Sequence, residues 1–275
     1  MRKSLADLLI FTDLDGSLLD HHSYRWDAAK PWLDRLAQAK VPLIVATSKT
    51  AAEVQQLQQQ LGLSALPFIA ENGAQIVFPA FWQQDTQLFG ADYPSLLAAL
   101  DQLRQQTGFA FSGFADVDDA TVAEWTGLTL SEAHLARQRA GSEPIRWSGS
   151  DQQLETFQTL LALRGLTLTR GGRFYHVMGR EVSKGNAARW LTKYYQRQQC
   201  QPFTTLSLGD GPNDISLLHA TDYAVLIRGQ QTRPLALPGD FPGQLYRTRQ
   251  PGPAGWREGL DHFLMGSEDG RTEHE

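Results

Sequence analysis

The chain has 275 residues, a net charge of −5, 41% hydrophobic residues and 20% charged residues. That length allows one large domain or two modest ones, and the composition is ordinary for a globular protein. The acidic balance argues against a nucleic-acid binder, and the lone Cys200 excludes an internal disulfide or a cysteine metal cluster. The opening MRKSLADLLIFTDLDG has a basic start, but its short apolar run is broken by Asp7 and Asp13, so it does not read as a signal peptide. No apolar stretch of about eighteen residues occurs, so no membrane span is expected. The simplest expectation is a soluble cytoplasmic protein, with its oligomeric state open.

LLIFT (8–12) is an apolar run suited to a buried strand. Residues 26–40 carry Trp32, Leu33 and Leu36 at helical spacing, and VPLIVAT (41–47) reads as a second buried strand. Residues 50–63 read as a helix with Gly62 as its stop. PFIAENGAQIVF (67–78) reads as two short strands joined at ENG. Strand, helix, strand, helix, strand suggests a parallel sheet with crossovers.

The rhythm then changes. Helices are expected at 93–108, 129–140 and 151–165, the second opening on a Thr or Ser cap with Glu132 close behind. Strands are expected at 109–117 and 143–149, and LTLTRGGRFYHVMG (166–179) reads as a hairpin turning on Gly171 and Gly172. The first pattern returns with a helix at 183–198, a strand at 203–211, a helix at 212–221 with proline in its first turn, and a strand at 223–227. The expected organisation is an α/β core domain, 1–81 and 181–266, interrupted by an inserted α+β domain, 82–180. The polar stretch 267–275 is expected to be a flexible tail.

Asp13 and Asp15 follow the first strand directly, and Asp210 and Asp214 in LGDGPND follow a later one. In open parallel sheets the carboxyl ends of the strands are where ligands bind. Carboxylates converging there repel one another, and a hard divalent cation with few oxygen ligands, Mg²⁺, removes that repulsion. Thr47 and Ser48 end the second strand, where a hydroxyl and helix-start N–H groups can hold a phosphate oxygen. Lys184 opens a later helix and can offset carboxylate and phosphate charge together. Acid pair, hydroxyl, lysine and acid pair match phosphoryl transfer through an aspartyl-phosphate. Each piece also has a plainer reading. Asp13–Asp15 suits a strand-end turn, Asp210 and Asp214 a helix cap, Thr47 a cap, Lys184 a solvated surface, and Glu71–Asn72 a hairpin turn.

The ordered set resembles the haloacid-dehalogenase (HAD) superfamily of phosphatases. Asp13-Leu14-Asp15-Gly16-Ser17 matches its D-x-D-G-T/S motif, and Thr47 the second motif. Lys184 in SKG matches the third motif, and Gly209-Asp210-Gly211-Pro212-Asn213-Asp214 the G-D-x-x-x-D motif. The resemblance covers nearly the whole chain and implies a Rossmann-like core with the α+β cap of the Cof-like, class IIB branch. It implies Asp13, Asp15, Thr47 and Lys184 as catalytic residues, and Mg²⁺ held by Asp13, Asp15, Asp210 and Asp214.

A narrower resemblance rests on Thr47-Ser48-Lys49, where most Cof-like enzymes carry T-G-R, on IAENGA, on TGLTLSEAHLARQRAGSEP and on GGRFYHV. These stretches look like those of mannosyl-3-phosphoglycerate phosphatases, and imply a substrate with a sugar, a glycerate carboxylate and a phosphate. The expected substrate contacts are Ser48, Lys49, Glu71, Asn72, Arg137, Arg139, Ser142, Arg173 and His176. Guanidinium groups suit such an anion. Two alternatives stay open: the same fold acting on another sugar phosphate, a nucleotide or glucosyl-3-phosphoglycerate, and a non-catalytic phosphate-binding relative. Intact Asp13 and Asp15 stand against the last.

Overall fold

The structure, a computed structural model, describes residues 5–171, 173–229 and 241–265. In chain order the first elements are β1 Leu8–Thr12, α1 Lys30–Gln38, β2 Leu43–Val45, α2 Ala51–Leu61, β3 Phe68–Ala70, β4 Gln75–Val77 and β5 Gln87–Leu88. There follow α3 Tyr93–Thr107, β6 Phe111–Gly113, α4 Asp119–Thr126, α5 Leu130–Ala136, β7 Ser142–Trp147, α6 Asp151–Ala162, β8 Leu166–Arg170 and β9 Tyr175–Gly179. The last are α7 Lys184–Gln199, β10 Thr204–Gly209, α8 Ile215–Leu218, β11 Tyr223–Arg228, β12 Gln244–Pro251 and α9 Gly252–Leu260. Two compact units emerge, one of Met1–Val45 with Ala188–Glu275 and one of Ala46–Ala187.

The first unit is built on a five-stranded sheet in the order β12-β11-β10-β1-β2, every neighbouring pair parallel. Parallel strands need helical covers on both faces, which is why β1 is buried along its whole length and apolar from Leu8 to Phe11 rather than alternating. Helix α1 buries Trp32 and Leu36, and α9 buries Trp256 and Leu260. The register pairs Leu8 with Thr204 and runs to Thr12 with Leu208. The strands β1 and β10 therefore end side by side, and the residues that follow them emerge together.

The second unit holds two antiparallel sheets, β3-β4-β5 and β6-β7-β9-β8. Leu96, Leu100 and Leu103 of α3 and Phe157 and Leu161 of α6 pack with Phe111, Ile145, Leu166 and Val177 of the larger sheet. Side chains alternate between the faces of a strand, so Ser142, Pro144, His176 and Met178 lie on the other face. The pairing of Ser142 with Met178 and of Pro144 with His176 agrees with this. A smaller cluster of Phe114, Val122, Ala133 and Ala136 packs α4 and α5 together.

This unit contains the whole of the 82–180 insertion read from the sequence, together with 46–81 and 181–187. Several expectations shift in detail. The strand expected over 109–117 is limited to Phe111–Gly113, because Phe114–Asp116 forms a 3-10 turn held by the Asp116 carboxylate, which accepts from Gly113 N–H. The helix expected over 129–140 ends at Ala136 but does start at the Thr129–Glu132 capping box. Residues 67–78 form two strands as expected, yet β3 pairs antiparallel with β4 and, among the described residues, makes only a single parallel bridge, Ile69 to Ala46. The short strand β5, helix α4, strand β12 and helix α9 lie outside the elements expected from the sequence. The hairpin turns at Gly171 as read, while Gly172 and the tail 267–275 lie outside the described residues. Among the described residues, no helix is long and apolar enough to cross a membrane.

Candidate active site

In the first unit, the adjacent ends of β1 and β10 bring three acids together. The Asp13 N–H donates to Leu208 O at 2.9 Å, which ties the residue after β1 to β10. Asp13, Asp210 and Asp214 each offer a carboxylate oxygen within 4.8 Å of the others. Asp13 and Asp214 are buried and Asp210 is half-buried. The Asp214 carboxylate accepts from Asp210 N–H at 3.1 Å and from Gly211 N–H at 3.0 Å, so it also shapes the loop it faces.

A tight turn carries the motif back from β1. Gly16 N–H donates to Leu19 O at 2.9 Å and Leu19 N–H to Leu14 O at 2.8 Å. Gly16 sits at φ +80°, and a Cβ there would lie 2.6 Å from Asp210 Oδ2. Glycine is therefore required both by the backbone and by the close approach of the acid. Ser17, the last residue of the D-x-D-G-T/S motif, donates its hydroxyl to Asp210 Oδ1 at 3.3 Å. Half-buried Asp15 belongs to the same turn through its bridge to Leu19, but its carboxylate is not part of the three-acid cluster.

Three buried or half-buried carboxylates this close are unfavourable without positive charge among them. Hard oxygen donors in this number suit a small divalent cation. The residues thus fit the Mg²⁺ that their spacing led us to expect.

In the second unit, Thr47, Ser48 and Lys49 lead into α2, whose N-cap is Thr50 with Glu53 completing a capping box. The ENG turn holds this segment by its backbone. Asn72 N–H donates to Thr47 O at 2.8 Å, and Glu71 N–H to Lys49 O at 2.9 Å. Glu71 and Asn72 both have left-handed φ, 51° and 56°, which is uncommon away from glycine. At Gly73, φ +102°, a Cβ would lie 2.3 Å from Ser183 O, so the turn packs against the start of α7. Lys184, the first residue of that helix, is fully buried.

Glu71 is the hub of a buried polar cluster. Its carboxylate accepts from Ala140 N–H at 2.7 Å, Ser142 Oγ at 2.8 Å, Gln75 Nε2 at 3.0 Å and Gly141 N–H at 3.2 Å. Arg139 lies 3.5 Å away, and it donates to Ser142 Oγ at 2.8 Å and to Ser48 O at 3.1 Å. Glu71, Arg139 and Ser142 thus face one another inside the unit.

The remaining expected residues are dispersed. Arg137 donates to Phe114 O at 3.1 Å and to Asp119 at 2.6 Å, tying α5 to the start of α4. Arg173 is exposed at the hairpin turn. His176 is buried on β9, and among the described residues its Nδ1 has no hydrogen-bond partner. Burial, reinforced by the charges of Arg139 and Lys184, pushes its imidazole down to about 3, so it is neutral at physiological pH.

A profile of the haloacid dehalogenase-like hydrolases matches residues 10–112 and 148–231, more than half of the chain. The chain belongs to that family. Solved structures share the fold of this haloacid dehalogenase-like hydrolase at low sequence identity. A HAD-superfamily phosphatase from Bacteroides thetaiotaomicron is 18% identical, with a TM-score of 0.70 over 96% of this chain and 97% of its own. The HAD subclass IIB sugar phosphatase BT4131 is 17% identical, with a TM-score of 0.64 over 93% and 98%. A sucrose-phosphatase from Synechocystis, solved with sucrose and phosphate, is 19% identical, with a TM-score of 0.62 over 96% and 98%.

Proposed function

We propose that this hydrolase is a phosphatase acting on a phosphorylated sugar acid, with Asp13 as nucleophile. The observation that carries the reading is the cluster of Asp13, Asp210 and Asp214 at the joined ends of β1 and β10. An Asp13 oxygen forms a bond to phosphorus as the ester P–O bond breaks. Asp15 gives its proton to the leaving alkoxide, then takes one from the water that attacks the aspartyl-phosphate and releases phosphate. Thr47 and Lys184 are assigned to the phosphoryl oxygens by their order in the motif set. Mg²⁺, held by Asp13, the Asp15 carbonyl, Asp210 and Asp214, would supply positive charge to the transferring group.

The substrate we favour is mannosyl-3-phosphoglycerate, hydrolysed to mannosylglycerate. Support comes from Thr47-Ser48-Lys49, the ENG turn and the 129–144 and 171–177 stretches, which look like those of that phosphatase group. Two of the structures with this fold are described as a sugar phosphatase and a sucrose-phosphatase, which keeps other sugar phosphates and glucosyl-3-phosphoglycerate as the second reading. The insertion 82–180 is the segment assigned to reading the leaving group, with Arg173 and His176 foremost and Ser48, Lys49 and Asn72 nearer the phosphate. The buried geometry of Glu71, Arg139 and Ser142 favours a bracing role for those three instead, and Arg137 likewise supports α5.

The deciding experiment measures phosphate release with Mg²⁺ across a panel of sugar phosphates, nucleotides and glycosyl-phosphoglycerates. Highest kcat/KM on mannosyl-3-phosphoglycerate is expected. Preference for a hexose phosphate would transfer the assignment to the second reading, and no release from any ester would remove the phosphatase assignment.

A further inference from the structure

Every residue of β1 is buried, and a hydroxyl on such a strand needs partners. Thr12, fully buried, has two. Trp256 of α9, also fully buried, donates its indole Nε1–H to Thr12 Oγ1 at 2.9 Å. Thr12 Oγ1 in turn donates to Asp13 O at 2.7 Å. An indole N–H is only a donor, so the direction of this relay is fixed. The indole occupies an acceptor site of the hydroxyl, and the hydroxyl's single proton goes to the Asp13 carbonyl.

That carbonyl also accepts from Leu18 N–H at 3.4 Å, while Asp13 N–H is held by Leu208 O. Peptide units are planar, so holding the amide on either side of Asp13 fixes its Cα and the direction of its Cβ. β10 fixes the first amide. Thr12 and Leu18 fix the second.

We propose that Thr12 and Trp256 are positioning residues for Asp13, acting through its backbone carbonyl to aim the carboxylate. This rests on the reading of Asp13 as a nucleophile. In-line attack is sensitive to placement. A shift of about 1 Å in a reacting group costs up to roughly a hundredfold in rate. A carbonyl held by a polarised hydroxyl resists the rotation that would produce such a shift. The role belongs to the chemical step, because neither residue is placed at the substrate.

The test compares Thr12→Val, Thr12→Ser and Trp256→Phe with the wild type in kcat, KM and the nuclear magnetic resonance of the Trp256 indole N–H, identified by its disappearance in Trp256→Phe. Thr12→Val is expected to lower kcat on the order of tenfold at nearly unchanged KM, and to move the indole resonance. Thr12→Ser keeps the hydroxyl and is expected to restore kcat to within about twofold. Trp256→Phe is expected to give a smaller loss, and the double variant Thr12→Val/Trp256→Phe no more than Thr12→Val alone. A purely structural contact would lower stability in Thr12→Val and leave kcat where it was. Wild-type kcat in a folded Thr12→Val protein, or losses that multiply in the double variant, would overturn the proposal. Should Thr12→Val not fold, Trp256→Phe decides by the same split between kcat and KM. A wild type that releases no phosphate, yet shows the indole shift in Thr12→Val, overturns the nucleophile reading and the positioning role with it. A wild type that turns over beside an equally fast Thr12→Val loses only the positioning role.

Discussion

Glu71 and Arg139, distant in sequence, meet 3.5 Å apart with their side chains 0% and 3% exposed. The pair shares Ser142 and reaches back to the Ser48 carbonyl, so it braces the segment from Thr47 to Lys49. Removing one partner of a buried pair strands the other charge, at a cost of about 3–5 kcal/mol. Glu71→Gln is therefore expected to destabilise the protein by about 3 kcal/mol in urea unfolding, and Glu71→Gln/Arg139→Met by less. Wild-type stability in Glu71→Gln would return both residues to the list of substrate contacts.

Asp13→Asn is expected to abolish phosphate release without lowering thermal stability. The substitution removes one of three carboxylates lying within 4.8 Å of one another, so it relieves repulsion while deleting the nucleophile. EDTA is expected to silence the wild type and added Mg²⁺ to restore it. Mg²⁺ is also expected to raise Tm by mass action, by the equivalent of about 2.7 kcal/mol at a hundredfold excess over Kd. The Tm response is expected to be lost in Asp210→Ala. Full activity in metal-free buffer, or an unchanged Mg²⁺ response in Asp210→Ala, would sink the metal assignment.

Gly16→Ala meets two penalties at once, a left-handed φ of +80° and a Cβ 2.6 Å from Asp210 Oδ2. The strained backbone alone costs about 1–3 kcal/mol. Displacement of Asp210 should weaken the Mg²⁺ response as well, which separates this change from a simple loss of stability. A variant with both properties intact would show that the turn relaxes freely.

His176 gives a pH dependence with a definite sign. Its folded-state value, held down to about 3 by burial and by the Arg139 and Lys184 charges, lies below the ordinary histidine value of 6.5. The unfolded chain takes up a proton below 6.5 that the folded chain refuses. Its contribution is present above that pH and is lost as pH falls from 6.5 toward about 3, with a slope of up to about 1.4 kcal/mol per pH unit. Comparing unfolding free energies of wild type and His176→Gln across this window isolates the term. Parallel curves would show that the imidazole is protonated in the fold.

Arg173 is exposed, so its removal should cost little stability. Arg173→Ala is expected to lower kcat/KM on mannosyl-3-phosphoglycerate by about tenfold or more, and to change p-nitrophenyl phosphate turnover much less, because the small ester has no glycerate carboxylate to hold. Equal losses on both esters would remove Arg173 from substrate recognition.

The sequence by itself was enough for the elements whose signals are local. β1 shows as four apolar residues running into Thr12, all five buried, α2 as a helix with a Gly62 stop, and α5 as Thr129 with Glu132. It was also enough to mark the acids, since Asp13 and Asp210 directly follow apolar strands. Helix α4 has local signals too, an Asp118 cap and Gly127 beyond its end, but its weakly patterned residues hide them. Strand β12, with most of its residues exposed, lacks the apolar run that marks a buried strand.

What only the tertiary structure decided is which distant groups meet. The β1–β10 register turns acids nearly two hundred positions apart into one cluster within 4.8 Å. The fold turns Glu71 from an ordinary hairpin-turn residue into the partner of Arg139, and Trp256 from one more core aromatic into the donor behind Thr12. Local patterns report a residue's preference for helix, strand or turn. Pairing of polar groups in the interior depends on the cost of leaving any of them unsatisfied once water is gone, and that cost is set only when the chain has closed around them.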